Sequence, residues 1–429
     1  MKLSIAQAIA FGQRLLAAQG VPDDIARDVA EHLVESDRVG YTSHGLSILP
    51  NYRRVLAEGF VKADGRAKLL NDRGAMLAFD GDNGFGQHVG KAVMQQAIER
   101  ARQYGQCIVT LRRTHHLGRM GYYGEMAAEA GLILLAFTNV VNRPPTVAPY
   151  GGAQACLTTN PLCFAGPLPG GCPPFLVDMA TSSIAVNKAR VLAARGEPAP
   201  DGALIDAQGN PTNDPNALFA DPPGALLPFG GHKGYAMGLV AELLAGVLSG
   251  GGTIQPEHPR NGVATNNMFA ILLDPQVDFN ADWRTQEVGA FIDYLHACPP
   301  QPGVDRVQYP GEYEAMNRAR HAEAIEFEGA IWDSLAKLAQ DLGAADALYL
   351  LAARAGDYPL LLQRFNAGLL CMAVIALLIA RRIIPFFAMR AIAGLQIPMH
   401  TRSGQWQLAA GLVAVAATLA QAGALTAVA

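Results

Sequence analysis

The sequence predicts an α/β fold over about its first 345 residues, followed by an apolar helical tail. Three observations carry this. Segments with a helical apolar period alternate with short β-branched or apolar runs. Half of the 429 residues are hydrophobic and only 16% are charged, against about 25% in an ordinary soluble domain. The hydrophobic excess is concentrated beyond about residue 345, where charged residues become sparser still.

Taken in order, Ser4 is placed to cap a helix running to about Gln19, and Pro22-Asp23-Asp24 opens a second to about Asp37. Residues 75–80 read as a strand. A helix over 88–104 is predicted by apolar Val89, Ala92, Val93, Ala97 and Ile98. Residues 108–111 and 132–137 read as strands, with a helix over 122–130 between them. Phe175-Leu176-Val177 reads as a buried strand. Residues 233–248 form a long apolar helix expected at the centre of the core. A strand over 268–273 and helices over 286–296 and 313–322 complete the series. No internal repeat or low-complexity linker interrupts it.

The tail holds two apolar runs. Residues 365–380 contain Asn366 as their one strongly polar residue, and residues 408–429 carry no charge. A membrane helix needs about 20 apolar residues, so the second run qualifies and the first lies at the lower limit. A buried core helix is the alternative for each. Between them stand Arg381, Arg382, Arg390 and Arg402. The positive-inside rule makes that segment cytoplasmic and, with two spans, puts the larger region outside, a conflict that Arg354 and Arg364 weaken. A gene fusion or a misjoined reading frame is the preferred explanation.

Composition excludes several functions. A net charge of −4 and the lack of a basic run argue against nucleic-acid binding. Six cysteines, none in C-x-x-C spacing, argue against zinc and against a disulfide scaffold. No metal site is expected. The N-terminus lacks a signal-peptide pattern, so a cytoplasmic location is expected for the first 345 residues.

Six short stretches hold most of the polar and glycine punctuation: Thr42-Ser43-His44-Gly45, Thr114-His115-His116-Leu117-Gly118-Arg119, Thr159-Asn160-Pro161, Asp178-Met179-Ala180-Thr181-Ser182, Gly231-His232-Lys233-Gly234 and Pro310-Gly311-Glu312. Scattered loops of this kind build a site for a small molecule. Gly84-Phe85-Gly86, with Gly90 four residues on, imitates a dinucleotide-binding βαβ turn. Its spacing is one residue too long, and the next strand ends in Arg112-Arg113 without the acid that holds a ribose. A tight turn is the better reading.

Ser36-Asp37-Arg38-Val39-Gly40 through Ser43-His44-Gly45, with Pro50 and Tyr52, resembles the opening of the malate/L-lactate dehydrogenase family of the non-Rossmann type. Thr114-His115-His116, Thr159-Asn160-Pro161, Ala180-Thr181-Ser182, Gly209 with Pro211-Thr212, His232-Lys233-Gly234 and Pro310-Gly311-Glu312 agree in kind and order over about residues 1–345. Gly118-Arg119-Met120-Gly121-Tyr122 looks most like the hydroxycarboxylate dehydrogenases. The resemblance implies NAD- or NADP-linked interconversion of a 2-hydroxy acid and a 2-oxo acid in a homodimer. It also implies a mixed, largely antiparallel cofactor-binding sheet flanked by helices. The tail motif Arg381-Arg382-Ile383-Ile384-Pro385-Phe386-Phe387 with Arg390 resembles a fragment of the NnrS family of haem-associated membrane proteins. With His400 as its lone histidine, haem binding is not carried over.

The resemblance implies a role for each motif. His44 and His116 are both candidates for the proton donor and acceptor, since imidazole titrates near neutrality; the alternative for each is a histidine that only packs on the cofactor. His115 is read as facing away. Asp178 would orient an imidazole or hold a ribose, or else cap a helix. Gly118, Arg119, Met120, Met179, Ala180, Thr181 and Ser182 would line the dinucleotide. His232, Lys233 and Gly234 open a helix whose dipole favours phosphate, or form an ordinary helix start. Pro310, Gly311 and Glu312 would close over the adenosine end, or form a simple turn. Ser43, Ile48, Arg119, Thr159 and Asn160 would contact substrate, with Asn160 held extended before its proline. A membrane-attached nucleotide sensor without turnover is the alternative function.

Many relatives carry arginine four residues after the first histidine, where it would clamp a carboxylate bidentately. Here that residue is Ile48, and Arg119 is the candidate to replace it. Diacids are therefore disfavoured and an apolar tail favoured. Phenylpyruvate is expected to give a higher kcat/KM than oxaloacetate in steady-state reduction assays, and a clear preference for oxaloacetate would refute this reading of Ile48.

Overall fold

Ser4 ends a short strand, β1 (Lys2–Ser4), and caps helix α1 (Ile5–Ala17). Its hydroxyl accepts the Gln7 N–H while the Gln7 side chain accepts the Ser4 N–H, so two helix-end donors are satisfied reciprocally. Pro22 precedes α2 (Asp23–Arg38), whose first-turn acids Asp23 and Asp24 complement the helix dipole. The two helices are in contact and bury Phe11, Leu15 and Leu16 on one and Ile25, Val29 and Leu33 on the other. A tight loop carrying His44 leads to α3 (Leu49–Ala57).

The computed structural model describes residues 1–277 and 280–344, and in the tail residues 369–370, 372–374, 376, 390, 409 and 411–413. After α3 come β2 (Lys68–Asp72), β3 (Met76–Asp80), α4 (Gly86–Tyr104), β4 (Gln106–His115), α5 (Gly121–Glu129), β5 (Ile133–Val141), β6 (Leu162–Gly166) and β7 (Phe175–Met179). Helix α6 (Val186–Arg195) and a small sheet of β8 (Leu204–Ile205), β9 (Pro211–Thr212) and β10 (Ala225–Leu226) lead to α7 (His232–Ala241) and β11 (Thr265–Leu273). Then follow α8 (Ala281–His296), α9 (Glu312–Arg320), β12 (Ala324–Glu326), which pairs with β1, and α10 (Gly329–Asp341).

The main sheet has the order β2-β3-β4-β11-β5-β6-β7, and every neighbouring pair is antiparallel except β3 with β4. It is mixed and largely antiparallel, as the resemblance implies. The parallel pair, with α4 between its strands, is the βαβ unit that the Gly84-Phe85-Gly86 segment imitates. Its glycines serve packing. A Cβ on Gly84 would lie 2.3 Å from the Gly65 carbonyl oxygen, and one on Gly86 would lie 2.3 Å from that of His116.

Alternating strand residues give the sheet two apolar faces. Leu134, Ala136, Cys163, Ala165, Met268 and Ala270 share a core with α4 and α5. A Cβ on Gly124 of α5 would lie within 3.0 Å of Ala165, Cys163 and Leu176, so only glycine lets the helix sit this low on β6 and β7. Phe137, Leu162 and Phe269 pack on the opposite face with Ala241 and Ala245. These belong to α7 and to the π-helical stretch Glu242–Leu248 that continues it. The sequence suggested that this helix is central to the core. It is a cover on the sheet instead: Leu239, Leu243 and Val247 form an exposed apolar stripe. A uniformly apolar sequence does not reveal which face is covered.

Contacts divide the chain into Met1–Ala344 and Ala345–Ala429. The described tail residues are helical, and a Cβ on Gly411 would lie 2.5 Å from Val374, which brings the two apolar runs together. Most of both runs lies outside the described residues. Among the described residues no helix is long and apolar enough to cross a membrane. A fragment ending at Ala344 is expected to unfold in one cooperative urea transition, with a midpoint matching the main transition of the full chain. A fragment that is soluble only with the tail attached would make the two units one folding domain.

Candidate active site

His44 sits on a tight turn, Thr42–His44 followed by Leu46–Ile48, that is held from behind by a buried carboxylate. Asp37, near the end of α2, accepts the Leu46 N–H at 2.8 Å. A Cβ on Gly45 would fall 1.9 Å from Asp37 Oδ1, so the glycine after His44 is required by this contact. Asp37 is 4% exposed, and burial lifts its carboxyl to about 7. The Ser43 hydroxyl lies 3.0 Å from His44 Nδ1. Burial, and then the charge of Arg119, hold His44 down to about 4, so the imidazole is neutral at physiological pH.

The second histidine arrives from the end of β4. The His44 and His116 rings stack, with centroids 5.5 Å apart and planes at 27°. Both are half-buried. Tyr52 of α3 lies 3.1 Å from His116 Nδ1, and its hydroxyl accepts the side-chain amide of Gln87 at 2.5 Å. Tyr52 is thereby left to donate to His116, which fixes that ring with its proton on Nε2. Burial, and then neighbouring histidines, push His116 well below its ordinary value. His115 is buried edge-on to Tyr52, Phe85 and His116.

Arg119 stands at the start of α5 and is 2% exposed. Its guanidinium ion-pairs with Glu125, which also accepts Arg318 of α9 at 2.6 Å; Arg318 in turn donates to Glu35 of α2 at 2.7 Å. Glu125 thus ties α5 to α9, and Arg318 extends the link to α2 through Glu35. The Arg119 N–H donates to His32 Nε2 at 3.0 Å, and a Cβ on Gly118 would strike that same nitrogen at 2.5 Å. Asp178 accepts the Gly121 N–H at 2.6 Å, so it caps the first turn of α5, a helix that precedes it in the chain. Burial raises Asp178 to about 6 against the pull of Arg119. Met120 is buried beside Thr138, whose hydroxyl points to its sulfur at 3.3 Å.

Asn160 differs from the sequence expectation. Its φ is +27°, not extended, and it is 0% exposed. Its side-chain oxygen accepts from the Thr158 hydroxyl at 2.6 Å, and its amide donates to Glu242 at 2.8 Å and to the Gly238 carbonyl at 3.2 Å. All its hydrogen bonds are spent inside the protein, and they outweigh the preference set by Pro161. Asn139 and the Ile254 N–H also donate to Glu242, so this acid locks β5, β6 and α7 together. Next door, the Thr159 carbonyl accepts both the N–H and the hydroxyl of Thr181, and the Thr181 carbonyl accepts the Phe229 N–H. Ser182 donates to the Ile184 carbonyl at 2.8 Å, and Ala180 and Met179 are half-buried.

These bonds tie the end of β7 to the start of α7. There His232 and Lys233 are exposed, and Gly234 is buried where a Cβ would lie 2.3 Å from the Phe229 carbonyl. Pro310-Gly311-Glu312 docks on β7 from outside: the Pro310 carbonyl accepts the Leu176 N–H, and Gly311 has φ +111° with Pro174 O 2.1 Å from where a Cβ would stand. Glu312 turns inward, accepts the Tyr309 N–H and pairs with Arg306, so it closes its own turn. Ile48 is half-buried on the same turn as His44.

Sequence reading missed His32, Gln87, Glu125, Glu242 and Arg318. Each lies inside a helix pattern, where a polar residue has no local signature. Their signal is tertiary: a buried polar group needs a partner.

Asp37 gives a pH-dependent test. Its folded carboxyl ionises near 7, whereas an unfolded one does so near 3.9. The folded chain therefore binds the extra proton between about pH 4 and 7, and stability from this group is full below that window and lost as pH rises through it. Asp37→Asn lacks this loss. On moving from pH 5 to pH 8, its urea midpoint is expected to rise relative to that of the wild type; parallel shifts would mean that Asp37 ionises normally.

Residues 3–336 match the family model for malate/L-lactate dehydrogenase, and residues 337–429 match that for the NnrS protein. An L-lactate dehydrogenase of Cupriavidus necator is 67% identical over 345 residues, covering 80% of this chain and 99% of that protein. Hydroxycarboxylate dehydrogenase B of Escherichia coli is 35% identical over 336 residues, covering 78% and 92%. Among solved structures, a putative malate/lactate dehydrogenase from E. coli superposes with a TM-score of 0.78 at 33% identity, covering 82% of this chain and 99% of that one. Sulfolactate dehydrogenase from Methanocaldococcus jannaschii gives a TM-score of 0.70 at 31% identity, with coverage of 80% and 98%. On its sequence match over residues 3–336 and on its fold, the chain belongs to the malate/L-lactate dehydrogenase family.

Proposed function

We propose that the protein is an NAD- or NADP-dependent oxidoreductase that interconverts a 2-hydroxy acid and a 2-oxo acid, with His44 as the group that takes and returns the proton. The single observation behind this is the stacked, neutral His44–His116 pair. Oxidising a secondary alcohol needs a base for the hydroxyl proton. A neutral imidazole accepts it at Nε2 while Nδ1–H is held by Ser43. His116, protonated at Nε2 through Tyr52 and Gln87, donates a hydrogen bond to the substrate oxygen and keeps it facing His44. An imidazole depressed this far is a weak proton acceptor alone, and the carboxylate of a bound substrate raises its basicity.

The dinucleotide, when bound, supplies or receives the hydride. The start of α7 fits its phosphates: an exposed lysine, a helix N-terminus and glycines that allow close approach. Asp178, near the end of β7 beside Arg119, is suited to orient the ribose or nicotinamide portion, and buried Thr181 holds the loop that follows it. Gly118 and Met120 shape the adjoining wall, and Pro310 and Gly311 close the outer edge of β7. The exposed stripe of Leu239, Leu243 and Val247 supports a homodimer, since such a surface gains by leaving water. The tail from about residue 346 is read as an appended membrane-protein fragment that takes no part in the chemistry.

His44→Ala is expected to lower kcat by about 10²–10⁴-fold while NADH still binds with its normal Kd, measured by fluorescence titration. Near-normal turnover in that variant would move the proton-transfer role to His116.

A further inference from the structure

We infer that Arg143 receives the carboxylate of the substrate, holding the acid between its guanidinium and the two stacked histidines. The inference rests on the 2-hydroxy-acid reading above and adds the residue that recognises the acid. Strand register carries it. Thr265, the first residue of β11, pairs with His115 on one side and with Val141 on the other. Both pairings are antiparallel, so β4 and β5 run in the same direction and end level with each other. Neighbouring strands lie about 4.8 Å apart, which sets these two ends about 10 Å apart. His116 follows His115 directly, and Arg143 follows Val141 by two residues. Imidazole and guanidinium therefore leave the same end of the sheet, separated by a gap suited to a small acid.

The backbone at Arg143 is firmly mounted. Asn142 has φ +65°; its side-chain oxygen accepts the Asn261 N–H at 3.0 Å and its carbonyl accepts the Gly262 N–H at 3.0 Å. Pro144 and Pro145 follow, and their fixed φ stiffens the chain just beyond Arg143. The side chain itself is half-buried, and among the described residues it makes no hydrogen bond or ion pair. Burial, and then the charge of Arg190, lower its pKa, and its own charge is one of those acting on His116. A partly desolvated cation without a counter-ion is costly, and a bidentate carboxylate removes that cost.

The other candidates are less suited. Ile48 carries no charge. Arg119 is 2% exposed, and although its Nε and Nη1 are without a partner, its charge is already neutralised by Glu125. Arg190 is exposed on α6, bonded to Asn187 and lying over Phe219.

The test compares pyruvate with pyruvamide, which replaces the carboxylate by a neutral amide. The wild-type full chain is expected to prefer pyruvate by about 10²-fold or more in kcat/KM. Arg143→Gln should bring that ratio close to one, mainly through a higher KM for pyruvate, with the Kd for NADH unchanged. The inhibition constant of oxamate, a non-reacting isostere of pyruvate, should rise by a similar factor. Arg143→Lys keeps the charge without the planar fork, so it should recover part of the preference. A folded Arg143→Gln protein that keeps the wild-type ratio and oxamate affinity overturns this inference alone. If that variant does not fold, an Arg143→Lys protein with a fully wild-type ratio and oxamate affinity does the same. A wild type that reduces no 2-oxo acid overturns the functional reading and this inference with it.

Discussion

Strand β11 is the member on which the rest of the site depends. It is inserted between β4 and β5 and is hydrogen-bonded to both along its length, from Thr265 to Leu273. It comes more than a hundred residues later in the chain than either neighbour. Its register therefore decides where the ends of β4 and β5 stand relative to each other, and with them His116 and Arg143. Asn266 and Asn267 reinforce the register with side-chain bonds: one accepts the Leu117 N–H, the other accepts the Arg113 N–H and donates to Asn139. A slip of one residue would turn every apolar side chain of β11 to the wrong face, which makes the register hard to lose.

Buried acids do the rest of the positioning, each with a different job. Asp37 presses the His44 turn into place through Gly45 and Leu46. Glu125 gathers Arg119 and Arg318, joining α5 to α9 and, through Glu35, to α2. Glu242 collects donors from β5, from the turn before β6 and from the segment after α7. Where a carboxylate has strong partners it remains a structural clamp. Where it has few, as in Asp37 and Asp178, burial lifts its pKa towards neutrality. The same dryness keeps the histidines neutral.

The match of the tail to a different family begins at residue 337, within α10 (Gly329–Asp341). That helix still belongs to the first unit by its contacts, and Arg53 of α3 reaches Asp341 at 2.9 Å. The boundary between the two family matches thus falls inside a helix.

The sequence by itself determined the local structure of the first unit. The Ser4 cap, the acidic start of α2, the apolar period of α4 and the alternating strands were legible because propensity, capping and patterning act over a few residues. It also marked the glycine-flanked histidines and the opening of α7. Strands β2 and β6 and helices α3, α6 and α10 escaped notice, since short or exposed elements and a helix beside a composition change carry weak local signals. The tertiary structure alone decided that β11 lies between β4 and β5, that His44 stacks on His116, that Asn160 is locked away from the cleft, and that Arg119 is bound to Glu125. Each of these joins residues that lie from a few to more than a hundred positions apart. Such contacts depend on strand register and on the pairing of buried charges, and both are satisfied only when the whole domain has folded.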